Sequence, residues 1–178
     1  MTFLKARVLL LLSVPFLLNG CQHSPYSNLY ADLSEAQYHE PLLIEPGKAV
    51  GKVRGNMSIE EVIAELGRPD RRSNQNTLLY LRFGFSVVAD REGLTRVVLC
   101  GDPSDKSSAL IKLFYGRTRE GIGMGSTRHD LFAAYGLPSA VEPWGEDGEQ
   151  IVYSSMGIGF ILADDKVHHI TVSFPKNS

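Results

Sequence analysis

Residues 56–69 read NMSIEEVIAELGRP and residues 125–138 read GSTRHDLFAAYGLP, so the chain carries one short pattern twice. In each copy a hydroxyl residue, Ser58 or Thr127, stands three positions before an acidic residue, which is typical of a capped helix start. Apolar residues at helical spacing then lead to a glycine, with proline two positions later, which indicates a helix end. Each copy therefore predicts a short helix with one apolar stripe.

Strand patterns follow each predicted helix. They cover residues 77–83, 85–89 and 94–99 in the first copy, and 150–153, 158–163 and 167–174 in the second. The second copy is longer in the segment 141–149, predicted as a loop, which holds the sole tryptophan, Trp144. We predict an α+β fold of two tandem units, residues 42–103 and 104–178, each with one helix and a three-stranded antiparallel sheet, packed with pseudo-twofold symmetry.

The amino terminus predicts an export signal. Lys5 and Arg7 precede an apolar run that ends at Leu18-Asn19-Gly20-Cys21, and that run is too short and too interrupted to cross a bilayer as a helix. The four residues 18–21 resemble the lipobox of bacterial lipoproteins. The resemblance implies a signal peptide over residues 1–20, a lipidated Cys21, and an outer-membrane destination, since Gln22 rather than aspartate follows the cysteine. Residues 21–41 are expected to form a lipidated, flexible tether.

Charge and cysteine content narrow the classes of function. Loss of Lys5 and Arg7 leaves 16 basic against 20 acidic residues, which argues against a nucleic-acid partner and against electrostatic adhesion to anionic lipid. Once Cys21 is lipidated, Cys100 is the remaining thiol, so no internal disulfide is expected. Cys100 ends an apolar run, which favours a buried, inert thiol.

The period-two pattern predicts a binding surface. With an offset of 73 residues between the copies, Val97 and Leu99 match Ile170 and Val172 as the core face. The opposite face, together with the tryptophan loop, is the candidate surface for protein binding, and a solvated or dimer-buried face is the alternative. Its candidate residues are Arg96, Val98, Trp144, His169 and Thr171.

No catalytic, metal or cofactor site is predicted. His168 and His169 are adjacent in a strand and point to opposite faces, which disfavours a shared metal. The glycines of residues 121–125 lack the lysine and hydroxyl residue of a phosphate-binding loop. The chain is therefore expected to be non-enzymatic.

The repeated pattern resembles the repeat unit of the SmpA/OmlA (BamE-like) lipoproteins and of the secreted β-lactamase-inhibitor proteins. The first family carries one unit and implies a scaffold for assembly of membrane barrels. The second implies two tandem units with a protein-binding sheet face, although its disulfides have no cysteines here. The residues that carry the resemblance are Met57, Ser58, Glu61, Val62, Leu66, Gly67 and Pro69, with Ser126, Thr127, Asp130, Leu131, Gly136 and Pro138.

The sequence thus predicts a lipid-anchored envelope protein, facing the periplasm, that binds another protein as a scaffold module. Two alternatives stay open at this point. The first is an inhibitor or immunity-type protein that binds an envelope enzyme or toxin. The second is a small-ligand-binding or hydrolytic protein with a pocket between the repeats.

The anchor itself is directly testable. Metabolic labelling with a radioactive fatty acid should mark the wild-type protein, and Cys21→Ser should remove the label because the acyl chains have no other attachment point in the predicted lipobox. Equal labelling of the two proteins would contradict lipidation at Cys21.

Overall fold

The computed structural model describes residues 42–101, 114–145 and 148–176. The predicted signal peptide, residues 1–20, and the predicted tether, residues 21–41, lie outside these ranges. Within the described ranges, no helix has the length and apolar character needed to cross a membrane.

The described part of the chain contains two α-helices, twelve strands and two short 3-10 helices, Leu81–Phe83 and Ser154–Met156. The helices are α1 (Ile59–Leu66) and α2 (Arg128–Tyr135). The strands are β1 (Leu43–Glu45), β2 (Ala49–Val50), β3 (Val53–Arg54), β4 (Arg71–Asn74), β5 (Thr77–Tyr80), β6 (Phe85–Ala89), β7 (Thr95–Cys100), β8 (Arg117–Thr118), β9 (Ala140–Trp144), β10 (Gly148–Tyr153), β11 (Ile158–Ala163) and β12 (Lys166–Ser173).

Both predicted helices are confirmed, together with their caps. The Glu61 backbone N–H donates to Ser58 Oγ at 3.2 Å, and the Ser58 N–H donates to the Glu61 carboxylate at 2.7 Å. Thr127 and Asp130 repeat this reciprocal pair at 3.2 and 2.8 Å. Each box satisfies backbone donors that the first helical turn leaves unpaired.

The strands form one large antiparallel sheet in the order β4-β5-β6-β7-β12-β11-β10-β9. Each copy contributes four strands, and β7 pairs with β12 to join the two halves. A second, small sheet has the order β3-β2-β1-β8. The predicted fold class, two units of one helix plus three strands, is therefore wrong.

The sequence patterns missed the two edge strands. Strand β4 contains Arg71 and Arg72 and has no apolar alternation, while β9 contains Pro143, which disfavours a strand assignment. Both strands lie at the edges of the large sheet, where the side chains need not alternate between core and solvent. Trp144 accordingly lies at the end of β9 and not in a loop.

The hydrophobic core lies on one face of the large sheet. Val62 of α1, Leu131 of α2 and Ile44 of the small sheet are fully buried in one cluster with that face. The phenol groups of Tyr80 and Tyr153 each donate to the carbonyl of the glycine that ends a helix, at 3.1 Å in both copies. The sheet thus holds both helix ends directly.

The capping boxes predict a dependence of stability on acid. Hydrogen bonds from the Ser58 N–H and hydroxyl hold the pKa of Glu61 below its ordinary value, and those from Thr127 do the same for the pKa of Asp130. A carboxyl whose folded pKa is lowered stabilises the fold above its unfolded pKa, and this contribution is lost as the pH falls through the folded pKa. At pH values below about 4.5, the melting temperature should therefore decrease as the pH is lowered.

Thermal unfolding followed by circular dichroism from pH 7 to pH 3 measures this effect. Glu61→Gln should flatten the acid dependence, whereas Glu60→Gln, one residue earlier and exposed, should leave it unchanged. Ser58→Ala should cost about 1 kcal/mol of unfolding free energy at neutral pH. An identical pH profile for Glu61→Gln and Glu60→Gln would contradict the role of the box.

Candidate functional site

The final strands of the two copies are offset by 72 residues, one fewer than the sequence comparison assumed. The turn between β6 and β7 places three residues, 91–93, between Asp90 and Leu94, which are joined by a backbone hydrogen bond of 2.9 Å. The turn between β11 and β12 has only Asp164 and Asp165, both with positive φ, between paired residues. Because strand side chains alternate, this one-residue difference means that the side chains of β7 lie on the sheet faces opposite to those predicted.

Val98 is therefore a core residue. It pairs with Val172 and is fully buried, and Cys100 beside it pairs with Ile170. The prediction that Val98 lies on an exposed face is wrong for this reason. Val97 and Leu99, predicted as core, lie on the opposite face of the sheet and are half-buried.

Arg96 is a structural residue of a β-bulge. Val88 pairs with Val97 and Ala89 with Thr95, which leaves Arg96 as the extra residue.

The Arg96 side chain is committed to intramolecular contacts. Its Nε donates to Asp90 Oδ2 at 2.6 Å, and its Nη1 donates to Asn56 Oδ1. With 14% of its side chain exposed, Arg96 joins the β6–β7 turn to the segment that enters α1. It offers little surface to a partner.

His169 and Thr171 lie on the sheet face opposite the core, which we call the second face. His169 is only 5% exposed, and its ring Nδ1 contacts the carbonyl of Gly101, so the expectation that it is exposed is wrong. Thr171 pairs with Leu99 and is half-buried. The described core cluster contains no residue of this face, whose aliphatic members include Leu79, Val88, Val97, Leu99, Val152 and Ile161.

Trp144 belongs to an exposed apolar edge of the large sheet. Its exposure is 47%, and Val141 in the same strand is also 47% exposed. Leu137, in the turn between α2 and β9, is 88% exposed. We call Leu137, Val141 and Trp144 the apolar edge. The structure brings only Trp144, of the five candidate binding residues, to this edge.

Sequence reasoning missed Leu137 and Val141, although the repeat contained a signal. In the first copy the same positions hold Arg68 and Arg72. The equivalence is structural, since Val141 pairs with Ile151 as Arg72 pairs with Leu78. When equivalent exposed positions hold arginine in one copy and an aliphatic residue in the other, the fold does not determine the residue type at those positions.

A groove of about 810 Å³ lies between the small sheet and the end of β12. Lys48, Arg119, Met156 and Phe174 are among its lining residues, and the Arg119 guanidinium pairs with Glu45 at 2.9 Å. This ion pair satisfies one of the two basic groups of the groove. The remaining lining mixes apolar and hydroxyl groups with the carboxylate of Glu120, and no nucleophile–base pair in hydrogen-bond contact is found among the described residues of the groove.

Cys100 is fully buried at the centre of the sheet, as predicted. Burial raises the pKa of its thiol far above the ordinary value because the thiolate would be removed from water. The thiol is therefore unsuited to nucleophilic chemistry.

Comparisons with known proteins find one distantly similar structure and no related family. No protein-family model matches the sequence, and no curated protein matches it. The crystal structure of YjgB, a DUF4309 family protein from Bacillus subtilis, is similar with a TM-score of 0.44 and 15% sequence identity, over 66% of this chain and 78% of that chain. At this TM-score the similarity carries no argument about fold or function.

The contacts of Arg96 predict a structural phenotype. Arg96→Ala should lower the melting temperature by several degrees, because it leaves the carboxylate of Asp90 and the amide of Asn56 without their guanidinium partner. Arg91→Ala is the matched control, since Arg91 is exposed on the same turn. Equal melting temperatures for the two variants, measured by differential scanning calorimetry, would contradict this role.

Proposed function

We propose that the protein is a non-enzymatic binding module of the cell envelope that engages another protein through the apolar edge. In this proposal, lipid on Cys21 holds the module at the outer membrane, and the folded part faces the periplasm. The exposure of Leu137, Val141 and Trp144 along one edge of the large sheet is the observation that carries the proposal.

The apolar edge is an unusual surface for an isolated domain. Five large hydrophobic side chains are exposed among the described residues. Three of these five belong to the segment 137–144. Val141 and Trp144 are three positions apart in β9, so the edge strand presents an apolar side chain on each of its faces. Exposed apolar side chains gathered in one segment mark an interaction site more often than singly scattered ones do. Tryptophan is also enriched among the residues that contribute most to protein–protein affinity.

Folding gives no reason for this edge to be apolar. The first copy builds the same helix–strand junction and the same edge strand with Arg68 and Arg72 at the positions of Leu137 and Val141. Because the fold accepts charged side chains there, the aliphatic residues of the second copy serve something other than packing. Contact with a partner is the simplest such role.

The edge strand itself discourages uncontrolled pairing. Pro143 has no N–H to donate, and the neighbouring Glu142 is exposed and charged. Both features oppose extension of the sheet by an additional strand. We therefore assign recognition to the side chains of the apolar edge rather than to its backbone.

The resemblance to the lipobox and to the SmpA/OmlA and inhibitor repeats supports an envelope role. Both families act through protein contacts, which fits the proposed binding role. The scaffold and the inhibitor would use the same surface on this chain and differ in the partner that occupies it.

Affinity purification of the full-length protein from solubilised membranes tests the proposal. Wild-type protein should recover a stoichiometric protein partner. Leu137→Ser combined with Trp144→Ser should weaken recovery about 30-fold or more, since loss of one strong anchor costs about 2 kcal/mol. The melting temperature should stay unchanged, because both side chains are exposed.

Leu43→Ser is the matched control, because Leu43 is 40% exposed in the small sheet, outside the apolar edge. It should leave recovery intact. Barrel-assembly proteins as partners would support the scaffold, and one enzyme or toxin would support the inhibitor. Recovery unchanged by the double substitution would exclude the apolar edge, and a wild-type protein without any stoichiometric partner would reject the proposed function.

A further inference from the structure

The opposite edge of the large sheet carries a cluster of arginines. Arg68 lies in the turn after α1, and Arg71 and Arg72 lie in the edge strand β4. All three are exposed, and we call them the basic edge. Arg71 pairs with Leu79 of the second face and Arg72 with Leu78 of the core face, so the two arginines stand on opposite faces of the edge strand.

These three guanidinium groups have no acidic partner among the described residues. The ion pairs found there involve Lys52, Arg96, Arg119 and Arg128 as cations. Asp70 lies between Arg68 and Arg71 in sequence, and its Oδ2 accepts a hydrogen bond from the Leu81 N–H at 2.9 Å. Its single negative charge leaves the edge with a net positive charge. The positive charge of the basic edge is therefore not neutralised by a direct contact in this part of the molecule.

A fourth arginine, Arg82, shows what a structural arginine does at this place. Its Nη2 donates to the Leu66 carbonyl at 2.5 Å and its Nη1 to the Arg68 carbonyl at 3.3 Å. Its guanidinium also lies 4.9 Å from the ring centroid of Phe83. Arg82 thus binds the carbonyl end of α1, whereas the side chains of the three basic-edge arginines make no ion pair with the described residues.

The second copy shows that the fold does not need the basic edge. Leu137, Ala140 and Val141 occupy the positions of Arg68, Arg71 and Arg72. The helix end, the edge strand and its pairing are nevertheless formed in the same way. The arginines are therefore a feature of one edge of the molecule and not of the repeat.

We propose that the basic edge docks on the anionic phospholipid headgroups of the membrane that carries the anchor. The whole chain is slightly acidic, but a surface charge acts within a Debye length of about 8 Å, so the charges of this edge, rather than the net charge of the chain, set the local potential. All three arginine side chains are exposed at the rim of the large sheet, as contact with a planar surface requires. Arginine is also well matched to phosphate oxygens.

The chain geometry allows this contact. Twenty residues, 22–41, separate Cys21 from Leu42, and a random-coil chain of twenty residues would span about 25 Å. Docking through β4 would place β9 seven strand spacings away, at about 34 Å, so that the apolar edge points away from the bilayer. This inference rests on the proposed membrane anchor and adds an orientation to it.

The sole tryptophan makes the orientation measurable in the full mature lipoprotein. The protein would be reconstituted through its anchor into vesicles of phosphatidylcholine, or of phosphatidylcholine with about one third phosphatidylglycerol, both carrying dansyl-labelled headgroups. Energy transfer from Trp144 to dansyl should be at least about twofold lower on the anionic vesicles, because docking moves Trp144 to the far end of the sheet. High salt should raise it again.

Substitution of Arg68, Arg71 and Arg72 by glutamine should abolish the difference between the two kinds of vesicle. The matched control removes the same charge from Arg91, Lys166 and Lys176, which are exposed elsewhere, and should keep the difference. Circular dichroism checks that both triple variants are folded, and the lipid comparison with wild-type protein needs no variant at all.

Several results would overturn the inference. The first is equal energy transfer from Trp144 to dansyl on neutral and anionic vesicles. The second is loss of the vesicle difference in the control variant as well. The third is a difference of wild-type size in the Arg68, Arg71 and Arg72 variant. Loss of a bound acidic protein in that variant, without any lipid effect, would assign the basic edge to a protein instead. Flotation with the vesicles reports the anchor separately, so absence of flotation would reject the anchor as well as the docking, whereas flotation with equal transfer would reject the docking alone.

Discussion

The backbone pairing between β7 and β12 holds the two halves of the molecule together. Val98 lies opposite Val172 and Cys100 opposite Ile170, and all four side chains are completely buried. Without this pairing each half would be a four-stranded sheet with an unpaired inner edge and with its buried residues at that edge exposed. The helices depend on the same contact, since helices of eight residues are unstable alone and here pack on the joined sheet.

The joined sheet also determines which residues are available for function. A bulge at Arg96 and a bulge at His168 mark equivalent points of the final strands. At the first of them the Arg96 side chain contacts Asp90 and Asn56. The sheet centre is thereby committed to packing and internal hydrogen bonds. The two edges, where one side of each strand has no neighbour in the sheet, are the places where the halves differ chemically.

The contrast between the edges gives the molecule a polarity that its repeats do not suggest. Equivalent positions carry Arg68 and Arg72 on one edge and Leu137 and Val141 on the other. Because both sets support the same local fold, folding does not determine the residue types at these positions, and each set can match what its own edge contacts. A lipid-anchored module with one basic and one apolar edge would have a membrane side and a partner side, which is how the two proposals fit together.

Local hydrogen bonds explain what the sequence by itself determined. The caps at Ser58 and Thr127 and the terminating Gly67 and Gly136 involve residues within a few positions of one another, so both helices were predictable, as were the central strands from their apolar alternation. Tertiary structure alone decided the four-strand halves, the β7–β12 join and the burial of Val98. Edge strands lack the alternating pattern, and the face that Val98 occupies depends on the length of the β6–β7 turn and on a partner strand more than 60 residues away.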